Sequence, residues 1–582
     1  MTSAAQRRAG ADKGAEKSAE KSAHRAADKV PVYQVLAEDI KAMGVEAVFG
    51  LMSDDTALFA TALDTSGVRF YGARHENTAI AMADGYAYAT GRLGVAVVGR
   101  GPALANGLHA AVYASRTGSS LLVIYGEAAT GAQPNGLGPD YKAFDGVGVL
   151  RAAGLRTFSA TSPQSVRAVL ADAAATAMAG GSVSLHLPTN VQLAEIERPA
   201  EALSIKRPER TPAPAKPQSI AAAAAVLAKA SRPLIVAGMG AHRAGARKAI
   251  EQLADRIGAL IVTTARGKDL FRGNPNALGI IGSFSHSIAR RMADQADCVL
   301  VFGAGLNFLT TSFGTSLPQV PLIQVDTVRS NIGRWLNADV AVVGDARLVA
   351  EQLIEALPER PAKAKPFRDE ATAKLIAAFD PQQDFKPANT ARTLDPRSLA
   401  LELETLLPRE RNLVVDGGNF LIVVPYLSVP DPGAFKMIGE FASIGLGFGA
   451  ALGVARGRPD RTTVLVVGDG GFLMTMGELE TVVREDLPMV IVLMNDCAYG
   501  AELHFLKLRQ HPVGKSVFPD VDFAPIAEAL GFEAATIRTL EDLKRMAPKL
   551  AKPEGPIFLD CKINADIAAP FMSEFAHFEG RH

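Results

Sequence analysis

Two aspartates stand directly after consecutive apolar runs in the last third of the chain. Asp469 follows VLVVG within the turn GDGG, and Asp496 follows MVIVLMN. The residues between the runs, FLMTMGELETVVRED, predict a helix that stops at the Leu-Pro pair. In a right-handed strand–helix–strand unit the two strands run parallel, so their carboxyl ends meet at one edge of the sheet. We therefore expect the two aspartates to lie close together.

This pair of carboxylates with its glycines is typical of a metal and diphosphate site. Gly470 and Gly471 let backbone N–H groups approach an anion, and a helix N-terminus adds partial positive charge. Two carboxylates repel a phosphate unless a divalent cation lies between them, and Mg²⁺ prefers oxygen ligands of this kind. The alternative is an ordinary tight turn with a solvated Asp496. The GDG tripeptide alone favours that alternative, but the full spacing, which ends in Asn-Asp, does not.

A third carboxyl group occupies a similar place in the first part of the chain. Glu76 follows the run VRFYGA and begins the Ala-rich stretch ENTAIAMADGYAYATG. A carboxyl group in an apolar pocket has a raised pKa and is suited to sharing a proton with a ligand. An isolated Glu at this place would more simply interact with the helix N-terminus.

The elements that must position these residues follow an α/β pattern. Short Val, Ile and Leu runs alternate with Ala-rich helical stretches, which predicts parallel sheets built from strand–helix–strand units. Two Pro-rich segments, RPERTPAPAKPQS and LPERPAKAKPF, read as breaks between blocks. We expect three doubly wound parallel-sheet domains, over residues 30–200, 215–360 and 390–582, after a mobile tail over residues 1–29.

Composition argues against several classes of function. Lys plus Arg and Asp plus Glu both number 61 in the 582 residues, so the net charge is zero and indicates neither nucleic acid nor an anionic membrane as a partner. We found no apolar run long enough to span a membrane. Cys298, Cys497 and Cys561 are too far apart for a zinc or redox motif, which favours a reducing, cytoplasmic location.

The stretch from Gly468 to Asp496 resembles the thiamine diphosphate (ThDP) motif, in which GDG is followed after a gap by NN. RHE…MADGYA…TG is similar to the pyrimidine-domain motif of the acetolactate synthase and pyruvate decarboxylase superfamily. The resemblance implies the domain order pyrimidine-binding, central, diphosphate-binding. It implies Mg²⁺ ligation by Asp469, Asp496 and the main-chain carbonyl of Ala498, although Asn is more usual than Asp496. Glu76 corresponds to the catalytic glutamate that hydrogen-bonds the aminopyrimidine.

Further cofactor contacts are implied by the same resemblance. In EFASIGLGFGAALGVARG, Ile444 matches the bulky residue that props the cofactor into a V shape, and its N–H would hold the aminopyrimidine together with the Ala442 carbonyl. Ile444 could instead be an ordinary core residue. DGGN resembles a diphosphate-side loop through Gly418 and Asn419. The remaining implied cofactor-binding residues are Gly470, Gly471 and Tyr499.

The resemblance implies chemistry on a C–C bond beside a carbonyl and leaves the reaction open. We expect decarboxylation of a 2-oxo acid, with or without ligation to an aldehyde. The alternatives are acetolactate synthase-like ligation, cleavage of a 2-hydroxyketone and, remotely, a ThDP-binding homologue without turnover. The paired histidines of pyruvate decarboxylase-like members are missing from GEAATGAQPNGLGPDYKAFD. Whether a flavin (FAD) binds the central domain stays open.

Two further carboxyl groups are candidate catalytic acids. Asp54 stands in FGLMSDDTALF, and Glu502 follows the second metal ligand in NDCAYGAELHF. Two nearby carboxylates raise the pKa of one of them, which would suit a proton donor. Each could instead be a solvated carboxylate.

The resemblance also concerns the assembly and the end of the chain. It implies a homodimer or a dimer of dimers, in which Glu76 of one chain faces the diphosphate domain of another. The stretch IAAPFMSEFAHFEGRH contains Phe571, Phe575 and Phe578 and could form a lid that excludes water from the site. Its alternative is a tail that merely packs on the surface.

Overall fold

The computed structural model of the chain describes residues 29–132, 140–209, 211–358 and 367–579. The predicted N-terminal tail, apart from Lys29, lies outside the described residues. Contacts divide the described chain into two compact units. The first contains residues 29–83 and 92–208, and the second contains residues 84–91 and 209–579.

The first unit is built on a six-stranded parallel sheet. Its strands are β1 (Lys29–Pro31), β2 (Ala47–Gly50), β3 (Arg69–Gly72), β4 (Gly94–Val98), β5 (Leu121–Glu127), β6 (Arg156–Ser159), β7 (Ser182–Pro188) and β8 (Glu195–Glu197). The sheet order is β3-β2-β4-β5-β7-β6, and β1 pairs with β8 in a separate antiparallel ladder. The helices are α1 (Val32–Ala42), α2 (Ala57–Ser66), α3 (Glu76–Thr90, whose second half groups with the second unit), α4 (Pro102–Thr117), α5 (Gly146–Ala152), α6 (Val166–Met178) and α7 (Thr189–Leu193).

The second unit contains two further parallel sheets of six strands each. The central sheet has the order β11-β10-β9-β12-β13-β14 and comprises β9 (Pro233–Ala237), β10 (Leu260–Thr263), β11 (Ala277–Ile280), β12 (Cys298–Phe302), β13 (Leu322–Asp326) and β14 (Val340–Val343). Its helices are α8 (Pro217–Leu227), α9 (Met239–Arg243), α10 (Arg247–Ile257), α11 (Ser287–Ala293), α12 (Ala346–Ala356) and α13 (Glu370–Ala377).

The last sheet carries the two aspartates at its carboxyl edge. Its order is β16-β15-β17-β18-β20-β19, with β15 (Arg411–Val415), β16 (Phe435–Met437), β17 (Thr462–Gly468), β18 (Met489–Asn495), β19 (Glu533–Ile537) and β20 (Ile557–Lys562). Its helices are α14 (Pro396–Leu406), α15 (Leu446–Gly457), α16 (Asp469–Leu473), α17 (Glu478–Arg484), α18 (Gly500–Leu508), α19 (Ala524–Ala529), α20 (Leu540–Arg545), α21 (Ala547–Ala551) and α22 (Pro570–Glu579).

The central strands of each sheet are continuous apolar runs because helices cover both faces of a parallel sheet. All seven residues of β18 are buried, as are all five of β12 and the first six of β5. Such strands leave polar side chains only at their ends. Chemistry is therefore confined to the loops that follow each strand.

The predicted fold class is confirmed: three α/β domains each contain a six-stranded parallel sheet flanked by helices. The domain boundaries 30–200, 215–360 and 390–582 stay predictions. No helix among the described residues is long and apolar enough to cross a membrane.

One predicted element is wrong in detail. The segment after Asp469 forms two short helices, α16 and α17, separated at Met474–Gly477, rather than one long helix. Glycine is a poor helix former, and Gly477 stands at the N-cap of α17, where the second helix begins.

Candidate active site

Asp469 and Asp496 meet at the carboxyl edge of the last sheet, as the sequence predicts. The strands β17 and β18 pair in parallel with Gly468 opposite Met494, so the two aspartates leave their strands within one residue of the same level. Asp469 is buried and Asp496 is partly buried. Burial, followed by the charge of Asp496, raises the pKa of Asp469 well above its usual range, and burial also raises the pKa of Asp496. A divalent cation between them would relieve both effects.

The main chain after Asp496 folds back onto both carboxylates. The N–H of Ala498 donates to Asp469 Oδ2 and to Asp496 Oδ1, each at 3.2 Å, and the N–H of Gly470 donates to Asp469 Oδ1 at 3.0 Å. Among the described residues, no group of three or more His, Cys, Asp or Glu side chains could hold a metal ion. A cation here would therefore have two carboxylates as side-chain ligands and would need main-chain or cofactor oxygens for the rest.

Glycines keep the loops of this edge in close contact. A Cβ atom on Gly470 would come within 2.6 Å of the Tyr499 ring, and one on Gly500 would come within 2.3 Å of Asp496 Oδ2. Side chains at these positions would push Tyr499 and Asp496 out of place. Gly470 and Gly500 therefore have a packing role, which for Gly470 comes in addition to its predicted anion-binding role.

A further aspartate at this edge was not singled out by the sequence analysis. Asp416 follows β15, is fully buried, and accepts hydrogen bonds from Gly445 N–H at 2.7 Å and Gly447 N–H at 3.1 Å. Burial raises its pKa to about 6. Its position directly after a strand, in VVDGGN, is the signal that could have revealed it. It holds the glycine-rich turn that precedes α15.

The turn around Ile444 is held by a hydrogen bond within its own main chain. The Ile444 N–H, predicted to hold the aminopyrimidine together with the Ala442 carbonyl, donates instead to that carbonyl at 3.0 Å. Phe441 and Ala442 have positive φ angles of 60° and 47°, which non-glycine residues rarely adopt. Backbone strain of this kind is frequent at ligand-binding loops. The cofactor role of the Ile444 N–H and the Ala442 carbonyl stays a prediction. It requires the N–H to exchange its hydrogen bond to Ala442 for one to the cofactor.

The loop at Gly418 and Asn419 lies next to the C-terminal segment. Asn419 is buried; its Nδ2 donates to the Ile567 carbonyl at 2.8 Å, and its Oδ1 accepts from Ala569 N–H at 2.8 Å. Both polar atoms of the side chain are therefore used to fix the segment that leads into α22. A contact of Asn419 with the diphosphate, if formed, would use its main chain.

A cavity of about 540 Å³ joins these loops. Both aspartates and Glu502, which is exposed in the first turn of α18, belong to its lining. Residues of α22 line it too, as do residues of the domain built on the central sheet, called the central block below. Predicted site residues that line the cavity are Gly418, Asn419, Ala442, Ile444, Asp469, Gly470, Gly471, Asp496, Ala498, Tyr499 and Glu502.

In the first unit, Glu76 begins α3 after a short loop, residues 73–75, that follows β3. It is buried, and Asn106 Nδ2 donates to its Oε2 at 3.1 Å. Asn106 lies on α4, so two helices fix the orientation of this carboxyl group. The burial of Glu76 is compatible with the predicted role of a cofactor-activating glutamate, which stays a prediction.

Asp54 does not have the environment expected of a proton donor. It is exposed, and hydrogen bonds from Lys142 and Ser53 lower its pKa, whereas the sequence analysis expected the pKa of one carboxyl to be raised. The neighbouring Asp55 is the more buried carboxylate. It accepts from Arg100 N–H at 2.9 Å, while its Oδ1 is buried without a hydrogen-bond partner among the described residues.

Comparison with known proteins agrees with this geometry. Models of the thiamine pyrophosphate enzyme N-terminal TPP binding domain, central domain and C-terminal TPP binding domain match residues 31–146, 220–353 and 416–561. The chain belongs to the thiamine pyrophosphate enzymes. The three matches occur in the predicted order and cover both the Glu76 motif and the two aspartates.

Relatives of this ThDP enzyme carry several different names. The chain is 27% identical to a probable acetolactate synthase large subunit of Methanocaldococcus jannaschii over 93% of both chains. It is 26% identical to a sulfoacetaldehyde acetyltransferase of Roseovarius nubinhibens over 94% of both chains. It is 31% identical to a probable 2-ketoarginine decarboxylase of Pseudomonas aeruginosa over 88% of this chain and 90% of the relative.

The residues present fit ThDP. Two close carboxylates with raised pKa values provide a cation site, the glycine turns bring backbone close to it, and the cavity volume lies in the range of small-molecule sites. In the other unit, Glu76 provides the buried carboxyl that the family motif requires.

Proposed function

We propose that this ThDP enzyme is Mg²⁺-dependent and decarboxylates a 2-oxo acid, releasing an aldehyde or passing the acyl unit to an aldehyde acceptor. The observation that carries the proposal is the position of Glu502, which lines the same cavity as Asp469 and Asp496. Aldehyde release needs a proton donor at the reacting carbon. Ligation to a second carbonyl does not need one at that carbon.

The residues of this chain have separate tasks in the proposal. Asp469, Asp496 and the Ala498 carbonyl would hold Mg²⁺ against the diphosphate. When bound, ThDP supplies an electron sink for cleavage of the bond beside the carbonyl. Glu76 would hold a proton at the aminopyrimidine ring, and Glu502 would deliver one to the carbon that loses carbon dioxide.

A ligase is the second candidate. Two of the relatives above are named as a synthase and an acetyltransferase, and they align over more than nine-tenths of this chain. The two candidates are separated by measuring how much free aldehyde and how much ligated product form when an aldehyde acceptor is added. In either case we propose a cytoplasmic enzyme, because Cys298, Cys497 and Cys561 are free thiols.

The proposed division of labour predicts different defects in two variants. Glu76→Gln should slow hydrogen exchange at the cofactor C2 position, whereas Glu502→Gln should slow aldehyde release by about 10²–10⁴-fold and leave C2 exchange within about threefold. Exchange followed by NMR and product formation followed by chromatography measure the two steps. Equal loss of both steps in Glu502→Gln would show that Glu502 is not the proton donor.

A further inference from the structure

Aromatic side chains line a large part of the cavity. The central block contributes Phe284, Phe308 and Phe313, and the C-terminal helix α22 contributes Phe571 and Phe575. Phe313 stands between the two groups: its ring centroid lies 5.3 Å from that of Phe308 and 5.7 Å from that of Phe575. The Phe284 and Phe571 rings meet edge to face at 6.0 Å.

The segment that carries Phe308 and Phe313 has an unusual backbone. Leu306, Ser312 and Phe313 have φ angles of 54°, 46° and 54°, a region that costs energy for residues other than glycine. The strain is held by hydrogen bonds, including one of 2.7 Å from Phe313 N–H to the Phe308 carbonyl. Strained conformations persist where the surroundings over-determine them, and they are frequent at ligand clamps.

The C-terminal helix is fastened to the same segment. Ser283 N–H donates to the Leu309 carbonyl at 2.8 Å, and Ser283 Oγ donates to Glu574 Oε2 at 2.5 Å. Arg290 Nη2 donates to Glu574 Oε1 at 2.7 Å and to Ser312 Oγ at 3.4 Å. The two aromatic groups are therefore held in one fixed arrangement, which lowers the conformational cost of binding a rigid apolar group.

Charge narrows the substrate class further. The ionisable acids in the described lining are Asp469, Asp496 and Glu502, and the described lining contains no Lys, Arg or His. A second anionic group on the substrate would find no cation in this part of the cavity, and an unpaired buried charge is costly. An aromatic or large apolar group would instead gain burial against the rings.

On the basis of the proposed function, we propose that the substrate is a 2-oxo acid with an aromatic or large apolar side chain, and that Phe313 is a specificity-determining residue for it. The 2-oxo acid group would face the cofactor loops, and the side chain would lie against the rings of the central block and α22. The lack of Lys, Arg and His in the described lining disfavours sulfonated and dicarboxylic 2-oxo acids, and the aromatic rings favour this class over small 2-oxo acids such as pyruvate.

The test compares kcat/KM of the Mg²⁺- and ThDP-loaded protein for phenylpyruvate, pyruvate, 2-oxoglutarate and 5-guanidino-2-oxopentanoate. We expect phenylpyruvate to exceed the others by at least about tenfold, the size of effect that pocket contacts give. Phe313→Ala should lower kcat/KM for phenylpyruvate by about 10–100-fold and change that for pyruvate by less than about threefold. Phe313→Leu keeps the apolar bulk, so its kcat/KM for phenylpyruvate should lie between those of the wild type and Phe313→Ala. This variant controls for a loss of folding in Phe313→Ala.

Trp335→Ala is the matched control. Trp335 contacts Phe308 at 6.2 Å between centroids, is exposed, and lies outside the cavity lining. Its removal should leave the preference for phenylpyruvate unchanged. Highest kcat/KM for pyruvate or for a charged 2-oxo acid, or equal losses for all substrates in Phe313→Ala, would overturn the inference while leaving decarboxylation intact.

A binding measurement keeps the two proposals separate. Calorimetry with 3-phenylpropanoate, which has no keto group to react, should show binding to the loaded protein that weakens at least about tenfold in Phe313→Ala and not in Trp335→Ala. This binding result supports the aromatic site even if no 2-oxo acid is turned over. A lack of turnover would overturn only the proposed decarboxylase activity. Absence of binding, or equal affinity in both variants, would overturn the aromatic site.

Discussion

Asp469, Asp496 and Asp416 show how burial changes the chemistry of a carboxyl group at the end of a strand. All three leave neighbouring strands of one sheet. The carboxyl groups of Asp469 and Asp496 lie close enough for the charge of Asp496 to raise the pKa of Asp469, whereas Asp416 is buried beside the Gly445 and Gly447 N–H groups that donate to it. A neighbouring carboxylate therefore distinguishes the pair that we propose to bind a cation from the aspartate that positions a loop.

Asp416 predicts a pH dependence of stability. Its folded pKa of about 6 lies above the ordinary value of 3.8, so the folded state binds this proton more tightly than the unfolded state. The contribution of Asp416 to the free energy of unfolding should therefore be present below about pH 4 and be lost as the pH rises to about 6, by roughly 2–3 kcal/mol.

Urea unfolding of the cofactor-free protein between pH 4 and 7 measures this contribution. The Asp416→Asn variant lacks the titrating group and should lose less free energy of unfolding over the same range than the wild type. Parallel curves for the two proteins would show that Asp416 does not titrate in this window.

Sequence patterns located the strands that carry function but not every element around them. The apolar runs of β17 and β18 are long, and the first ends in the turn GDGG, so the positions of Asp469 and Asp496 followed directly from them. Strand β16 is only three residues long and carries Lys436 at its centre, which gives no apolar run to detect. Its place beside β15 depends on tertiary pairing.

The candidate site was predictable where it depends on local motifs and not where distant segments meet. Glu76 and the aspartate pair belong to contiguous motifs. The hydrogen bonds of Asn419 with Ile567 and Ala569 join residues about 150 positions apart, and the turn at Ser312 and Phe313 places two residues other than glycine at positive φ. Neither can be derived from spacing along the chain.

The C-terminal helix is an element whose predicted role as a lid gains support from its contacts. Phe571 and Phe575 line the cavity, and Glu574 is paired with Arg290 at 2.7 Å. Truncation after Ile567 should lower turnover by at least about tenfold, because water would enter the site, while ThDP affinity should change less. Steady-state kinetics and calorimetry measure the two quantities.

A milder variant controls for the truncation. Glu574→Gln keeps the helix but removes its ion pair with Arg290, so we expect a smaller loss of turnover than in the truncated protein. Full turnover in the truncated protein would mean that α22 only packs against the surface of the cavity.

At the scale of the whole molecule, the family resemblance predicts an assembly of at least two chains. Glu76 of one chain would serve the diphosphate domain of another, so we propose a homodimer or a dimer of dimers. Light scattering of the active enzyme should give a mass of at least twice 61.2 kDa. Mixing inactive Glu76→Gln with inactive Asp469→Ala should restore part of the activity through hybrid dimers. A fully active monomer would contradict this assembly.

The most direct test of the central claim is carbon dioxide release from a panel of 2-oxo acids by the purified protein. The account predicts that at least one acid is decarboxylated, that omission of ThDP or chelation of Mg²⁺ stops the reaction, and that Asp469→Ala loses activity together with calorimetric ThDP binding. Asp460→Ala, which changes an exposed aspartate of the same domain, should retain both. Release of carbon dioxide without ThDP or Mg²⁺, unchanged ThDP affinity in Asp469→Ala, or no consumption of any 2-oxo acid would contradict the account.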